Sequence, residues 1–278
     1  MLVNIAQTIA MQLGLDQPES IQDFSRTKRK LTLVELSEAA KMWSCSSLTY
    51  FSISSTYGML PVSSNGMVDL ICDEESAYDI PIEMKHQLLI ARFSARTNKY
   101  MSRSMPFLRE RTCSKETSGI LGLLEQEYSD LCRGLGQALT AETEILLIGT
   151  GIQLYVFYLL DTGQSLARKI GLLGAFDFAK SLINKLQQLD ATADIIKYSP
   201  FSYFRMATLA ALFILRLEDS SFVGLVDVDG GKQAFNTALM LLRRASLEDN
   251  DLPGRTSKIL VELWSAQAAH GRVVKSLD

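Results

Sequence analysis

The sequence predicts an all-α fold, and three observations support that prediction. Apolar residues recur with a 3.6-residue period along almost every long segment of the 278 residues, as they do in helices that bury one face. Residues that typically begin or end helices separate these segments. The only strand-like stretch covers residues 222–228, which is too short and isolated to build a sheet. We therefore predict a single irregular multi-helix domain of about nine helices over residues 1–278.

The first two predicted helices are bounded by capping signals. The first ends at Gly14, because glycine readily adopts the left-handed conformation that terminates a helix. The second runs from about residue 32 to residue 57, and Thr32 and Glu35 have the spacing of a capping box at its start. A Ser-Ser-Asn-Gly turn at 63–66 follows. The apolar stripe of the first helix consists of Leu2, Ile5, Ile9 and Leu13.

Four helices are predicted between residues 81 and 189. Pro81 suits the first turn of a helix, where its missing N–H would have no partner in any case, and Asp79 precedes it as a cap. Glycines weaken helix propensity, so we expect a stop after residue 133 and a bend near Gly171 and Gly174. The resulting ranges are 81–104, 115–133, 140–163 and 164–189.

The last three predicted helices cover residues 201–217, 231–247 and 253–270. Pro200 and Pro253 stand where a helix begins without losing a hydrogen bond. Acidic residues precede Pro253, where the helix dipole favours negative charge. They are Asp249 and Asp251, and the apolar stripe that follows consists of Ile259, Leu260, Leu263 and Trp264.

Composition and charge exclude several classes of protein. Hydrophobic residues make up 47% of the chain and charged residues 21%, which indicates a globular domain. A net charge of −3 argues against a chain that binds polyphosphates as a whole. The four cysteines have no ligand-like spacing, so we expect free thiols in a reducing compartment. The most apolar runs, 145–160 and 206–217, are shorter than the roughly 18 residues that a membrane span needs, so we expect no membrane partner.

Residues that catalyse reactions or bind metals are sparse. His86 and His270 have no acidic or cysteine partner at ligand spacing. Gly149 and Gly151 lack the lysine of a phosphate loop, and we interpret them as a close contact between helices. Residues 227–231 resemble the opening of a calcium loop without its closing glutamate, and a solvated turn is the simpler interpretation. We predict no enzyme and no cofactor in this chain; an all-α enzyme such as a terpenoid cyclase ranks last, because that class needs a fuller Asp-rich motif on a helix.

One face of the second predicted helix combines aromatic rings with hydroxyl groups. Such a face can line a pocket for a small-molecule effector. A helix with ordinary, satisfied hydroxyls has the same pattern, and that alternative stays open. The candidate effector-pocket residues are Trp43, Ser47, Tyr50, Ser54 and Tyr57, at spacings i, i+4, i+7, i+11 and i+14.

A row of basic residues follows one face of the predicted 81–104 helix. On a net-acidic chain such a face can meet nucleic acid or an acidic partner helix, and a solvated helix face is the alternative. The residues of this basic face are Arg92, Arg96, Lys99 and Arg103. A second basic cluster, at 26–30, is interpreted either as a nuclear import signal or as an exposed loop.

Several segments, in chain order, match the pattern of a known family. They are Ile9 to Leu15, Glu38 to Tyr50 with Gly58 to Pro61, the helices at 118–134 and 144–160, and residues 244–264. Together they resemble the middle homology region, a regulatory domain, of fungal binuclear zinc-cluster transcription factors. The last segment is similar to a subgroup that includes activators of leucine biosynthesis and of the weak-acid response.

The resemblance implies a nuclear regulatory domain that modulates transcription of target genes and responds to an effector. Its implied partners are proteins of the transcription machinery, with DNA contacted only indirectly. Two departures stand out: the family's Cys-x2-Cys-x6-Cys cluster is missing, and Asp16 and Gln17 replace the usual His-Arg. We therefore expect an N-terminally incomplete chain, with zinc implied only if a missing N-terminal cluster exists. The alternative is a non-catalytic helical scaffold that binds an acidic helix through the basic face.

Overall fold

The computed structural model describes residues 2–24, 30–56, 66–73, 75–104, 115–136, 138–159, 165–218 and 222–275. These residues form eleven α-helices and no strand, which confirms the all-α prediction. Contacts divide the chain into an N-terminal unit (residues 1–106 and 119–143) and a C-terminal unit (107–118 and 144–278). The single domain expected over 1–278 stays a prediction.

Helix α2 is the element of the N-terminal unit on which three other helices pack. Helices α1, α3 and α4 pack against it, and their shared apolar cluster includes Trp43, Met67, Ile71 and Leu88. A hydrogen bond from the Ser46 hydroxyl to the side-chain oxygen of Gln7, at 2.7 Å, also joins α2 to α1. The helices are α1 (Leu2–Gln12), α2 (Leu33–Thr56), α3 (Gly66–Cys72), α4 (Ile82–Ser104) and α5 (Lys115–Leu135), with a 3₁₀ segment at Pro18–Phe24.

The predicted capping signals of α1 and α2 are present. The Thr32 N–H donates to Glu35 Oε2 at 2.9 Å, and the Glu35 N–H donates to Thr32 Oγ1 at 3.3 Å. This reciprocal pair is the capping box. Gly14 ends α1 with a φ of 71°, a left-handed conformation that glycine adopts without a steric penalty.

The apolar stripe of α1 does not face the core of its unit. Leu2, Ile5, Ile9 and Leu13 are 83%, 45%, 49% and 55% exposed, while the buried residues of α1 are Val3, Gln7 and Ala10. Periodicity located the helix correctly. Periodicity did not identify the buried face, because the side of α1 that packs against α2 carries small side chains and the Gln7 amide.

The remaining six helices form a second core. Helices α7, α9 and α10 pack against one another, and their fully buried side chains include Ile183, Phe213 and Phe235. Trp264 of α11 stacks on Phe235 with ring centroids 4.2 Å apart. The helices are α6 (Ala141–Tyr155), α7 (Leu166–Ala193), α8 (Ile195–Tyr198), α9 (Phe201–Glu218), α10 (Val228–Ala245) and α11 (Leu252–Lys275).

Two glycines of the C-terminal unit allow close contacts between segments. A Cβ atom on Gly149 would overlap the Met206 side chain of α9, as expected for a close contact between helices. A Cβ on Gly171 would overlap the ring of Tyr158, which belongs to the 3₁₀ segment Val156–Leu159. Helix α7 continues through Gly171 and Gly174 as one 28-residue helix, so the bend expected there does not interrupt it.

The helix count differs from the prediction for a simple reason. All nine predicted helices are present, and the two additional ones, α3 and α8, have seven and four residues. Segments of that length contain too few turns for the helical period to be recognised. The strand-like residues 222–228 contain the 3₁₀ turn Val223–Leu225 and the first residue of α10. The turn expected at 63–66 lies outside the described residues except for Gly66.

Among the described residues, no helix combines the length and the apolar composition that crossing a membrane requires. Cys45, Cys72 and Cys132 are free thiols, and Cys113 lies outside the described ranges.

Candidate functional site

The candidate effector face of α2 lies in the interior of the N-terminal unit. Trp43, Ser47 and Ser54 are 0%, 2% and 1% exposed, and Tyr50 is half-buried. These four residues recur at helical spacing and share one side of α2. Tyr57, the fifth predicted residue, lies outside the described residues. The structure therefore aligns three of the predicted residues as a buried row.

Polar atoms of this buried row have no hydrogen-bond partner among the residues that the structure describes. They are Trp43 Nε1, Ser47 Oγ and Ser54 Oγ, and Thr97 Oγ1 on α4 shares that condition. A helical serine usually donates to the carbonyl four residues earlier, as Ser44 does to Ala40 O at 2.7 Å. Ser47 and Ser54 do not. A buried polar group without a partner lowers the stability of the fold by about 1–3 kcal/mol. These groups can still form hydrogen bonds with a ligand or a water molecule.

The surroundings of Trp43 are apolar with one hydrogen-bonded phenol. Trp43 shares its cluster with Met67, Ile71 and Tyr78. The Tyr78 hydroxyl donates to Glu19 Oε1 at 3.0 Å. Burial, followed by this hydrogen bond, raises the pKa of Tyr78 to about 12, so the phenol stays protonated at neutral pH. At Trp43, an indole N–H against an apolar wall suits a small uncharged or weakly polar ligand, or a buried water.

The basic face of α4 is partly used inside the N-terminal unit. Arg92 Nη1 lies 2.7 Å from Asp69 Oδ1 on α3, and Arg96 Nη2 lies 2.9 Å from Glu127 Oε2 on α5. Lys99 is exposed, and the Arg103 side chain lies outside the described residues. Two of the four predicted cations thus orient neighbouring helices, which reduces the positive charge that this face offers to a partner. The interaction face itself stays a prediction.

An ion-pair cluster in the C-terminal unit was not predicted from the sequence. Asp190 is 6% exposed near the end of α7, and Arg244 on α10 contacts it and Asp194. The signals were present separately, as two acids four residues apart and an arginine in a last helical turn. Pairing them requires the tertiary arrangement of α7 and α10, which the one-dimensional pattern does not contain.

Residues 227–231, which resemble the opening of a calcium loop, have a structural role. Asp227 caps α10, since its Oδ1 accepts from the Gly230 N–H at 3.0 Å, and its Oδ2 lies 2.8 Å from Lys180 Nζ. The hydrogen bond from Lys180, followed by that from Gly230, lowers the pKa of Asp227. Within the described ranges, no three His, Cys, Asp or Glu side chains come together as metal ligands. The expectation of no cofactor stays a prediction, and so does the nuclear signal at 26–30, of which only Lys30 is described.

The loop between α10 and α11 is organised by Asp251. Its Oδ1 accepts from the Gly254 N–H at 2.8 Å and from the Ser246 hydroxyl at 2.7 Å. Its Oδ2 accepts from the Leu247 N–H at 2.8 Å. The hydrogen bond from Ser246, followed by that from Gly254, lowers the pKa of Asp251 to about 2. The acidic cap expected before Pro253 is therefore Asp251.

Two curated relatives cover nearly the whole chain. Regulatory protein LEU3 of Saccharomyces cerevisiae is 24% identical over 293 residues, which is 95% of this chain and 32% of the relative. The candidate transcription factor SEF1 of Eremothecium gossypii is 23% identical over 270 residues, 94% of this chain and 25% of the relative. The chain thus spans a third or less of either relative. No protein-family model and no solved structure matches it.

These similarities define the class of protein to which the chain is related. It is similar, over almost its full length, to fungal regulators of transcription. The resemblance identified from the sequence is confirmed, and a regulatory role in transcription is the function that its relatives support.

Proposed function

We propose that this chain is the regulatory domain of a fungal zinc-cluster-type transcription factor and modulates the transcription of target genes in the nucleus. The supporting observation is the similarity to two fungal regulators over 94–95% of the chain. In this proposal the partners are proteins of the transcription machinery, DNA is contacted by another part of the protein, and the chain is not an enzyme.

The buried row on α2 is the proposed effector-responsive element. Trp43 Nε1, Ser47 Oγ and Ser54 Oγ have no hydrogen-bond partner in the described part of the N-terminal unit. An effector that hydrogen-bonds to one or more of these atoms would favour a conformation in which α2 and its neighbours separate enough to admit it. Binding shifts the population toward that conformation by its differential affinity for the two states.

Tethering the chain to a heterologous DNA-binding domain tests the proposed function. Reporter output is measured in yeast and divided by the abundance of the fusion, during growth on different carbon, nitrogen and amino-acid supplies. We expect output that differs from that of the DNA-binding domain alone and changes with at least one nutrient supply. Output equal to that of the DNA-binding domain under every condition contradicts the proposal.

A scaffold that binds an acidic helix through Arg92, Arg96, Lys99 and Arg103 is the alternative. The pairing of Arg92 and Arg96 with acids of the same unit makes it the weaker candidate. Two variants distinguish the surface charge of this face from its ion pairs within the unit. Arg96→Glu combined with Glu127→Arg keeps the ion pair between α4 and α5 with its charges reversed. Lys99→Glu reverses the charge of an exposed residue. If the wild-type chain binds a partner protein that these variants fail to bind, the scaffold is favoured. If the variants still bind that protein, this face is excluded as the binding surface.

A further inference from the structure

The junction between α10 and α11 contains a half-buried serine that follows a pair of arginines. Arg243 and Arg244 form the last turn of α10, Ala245 ends the helix, and Ser246 is its C-cap. Ser246 has an extended backbone, with φ −78° and ψ 120°. Leu247, the next residue, is 65% exposed. This order places arginines three and two positions before a serine and an exposed apolar residue after it.

We propose that Ser246 is phosphorylated by an arginine-directed serine/threonine kinase and that the phosphate opens the connection between α10 and α11. Kinases with an acidic substrate groove select serines by such charge patterns, since their carboxylates pair with arginines that precede the target. The inference does not depend on the role in transcription, because it concerns the chemistry of one loop.

The kinase can reach the serine because the segment lies at a helix end. Arg243 is exposed and Ser246 is half-buried. The last turn of a helix frays more readily than its centre, so residues 243–247 can extend into a substrate groove. Ser257, which has Arg255 two residues before it, is 3% exposed in α11 and is a natural internal comparison.

The reaction consumes a nucleoside triphosphate supplied with the kinase. Ser246 Oγ attacks the γ-phosphorus of Mg-ATP, a new O–P bond forms, and the bond from that phosphorus to the β,γ-bridging oxygen breaks. ADP leaves with the electron pair. The hydroxyl proton passes to the carboxylate base of the kinase.

The product does not fit the closed loop. The Ser246 hydroxyl donates to Asp251 Oδ1 at 2.7 Å, and a phosphate ester has no hydroxyl proton to donate at that oxygen. It also brings a charge of about −1.5 to −2 at neutral pH against a carboxylate that caps α11 through the Gly254 N–H. Space is lacking too, because a Cβ on Gly254 would already lie 2.9 Å from Ser246 Oγ.

The opening affects α11 because Asp251 connects the loop to that helix. Its carboxylate accepts from Leu247 and Glu248 on one side and from Gly254 on the other. Displacing it removes the cap of α11, whose Trp264 stacks on Phe235 of α10. The phosphate also attracts Arg244, which competes with the contacts of Arg244 to Asp190 and Asp194. Both effects act at the C-terminal end of α10.

The test treats the full chain with Mg-ATP and the catalytic subunit of cyclic-AMP-dependent protein kinase, an arginine-directed enzyme. Phosphates are counted by intact mass and located by peptide mapping. We expect phosphate on Ser246, and one phosphate fewer in Ser246→Ala. Arg243→Ala should slow modification of Ser246 at least about tenfold, because the kinase loses a charge-assisted contact. Arg255→Ala, another exposed arginine of the same unit, is the matched control and should leave the rate unchanged.

Amide hydrogen exchange then tests the opening. After phosphorylation we expect exchange across residues 252–264 to accelerate at least about tenfold, because those amides exchange through local opening. Peptides from α2 should be unaffected, and phosphatase treatment should restore slow exchange. Two results would overturn the proposal: phosphorylation of a synthetic 240–250 peptide under conditions that leave the folded chain unmodified, or stoichiometric phosphate on Ser246 with unchanged exchange in α11.

Discussion

Arg244 of α10 contacts the buried carboxylate of Asp190 on α7, with Nε 2.7 Å from Oδ2. The same guanidinium reaches Asp194 Oδ1 at 2.7 Å, and Asp190 Oδ1 accepts from the Ile196 N–H at 3.2 Å. Asp194 ends α7 in a left-handed conformation, with φ 50°. One arginine thus connects α10 to the turn that joins α7 to α8.

Removing this arginine should destabilise the C-terminal unit. Arg244→Ala leaves the Asp190 carboxylate buried without its cation. We expect the free energy of unfolding to fall by about 2 kcal/mol. This is less than the full cost of breaking a buried ion pair, because Arg244 is half-exposed. Urea unfolding followed by circular dichroism measures it. Arg243→Ala, at the exposed neighbouring position, should change the value by less than about 0.5 kcal/mol. Equal effects of the two variants would show that the Asp190 contact contributes nothing.

Two glycines three residues apart in α7 should respond oppositely to alanine. Gly174→Ala adds a methyl group where no atom lies within 4 Å, so it should stabilise by up to about 1 kcal/mol through helix propensity. Gly171→Ala places the same group into the ring of Tyr158 and should destabilise by about 1–3 kcal/mol through overpacking. Thermal unfolding of both variants checks the prediction. A rise in melting temperature for Gly171→Ala would contradict the described contact.

The serines of α2 provide a comparison between paired and unpaired hydroxyls. Ser44→Ala removes a hydrogen bond to Ala40 O and should cost about 1 kcal/mol. Ser47→Ala and Ser54→Ala remove buried hydroxyls without partners, so they should be neutral or stabilising by up to about 1 kcal/mol. Urea midpoints at constant slope measure these differences. If Ser47→Ala is as costly as Ser44→Ala, its hydroxyl has a bound partner such as a water.

Asp251 should make stability depend on pH in the acidic range. Its pKa is about 2 in the folded chain against an ordinary value of 3.8. A carboxyl group with a depressed folded pKa stabilises the fold above its unfolded pKa, and that contribution is lost as the pH falls through the folded pKa. Asp251→Asn should therefore unfold at lower urea than the wild type at pH 6. The difference should shrink between pH 4 and pH 2, and a constant difference over that range would contradict the assignment.

The sequence predicted helix boundaries better than helix faces. The capping box of Thr32 and Glu35 and the cap at Asp251 are local in sequence, so the pattern alone was sufficient to locate them. In α1 the apolar stripe does not coincide with the buried face, because such a stripe shows that a helix forms and tertiary contacts decide what covers it. In α11 likewise, Leu260 is buried while Ile259 of the same stripe is exposed.

In the candidate site, too, the sequence predicted local features and missed contacts between distant residues. Spacing placed Trp43, Ser47 and Ser54 on one side of α2, and the structure buries all three. The sequence could not predict the ion pairs of Arg92 and Arg96 with acids of α3 and α5, because the paired residues lie 23 and 31 positions apart on different helices. Asp190 and Arg244, 54 positions apart, were missed for that reason.

The most direct test of the regulatory role links reporter output to the folded state of this chain. Three fusions to the same DNA-binding domain are compared at equal abundance: the wild type, Gly174→Ala and Asp190→Leu, which leaves Arg244 without its buried partner. We predict that the wild type and Gly174→Ala shift the output equally, away from that of the DNA-binding domain alone. We also predict that an Asp190→Leu fusion whose C-terminal unit has unfolded does not reproduce the shift. Wild-type output equal to that of the DNA-binding domain alone, or an unaltered shift in an Asp190→Leu fusion whose C-terminal unit has unfolded, would contradict a regulatory role for this fold.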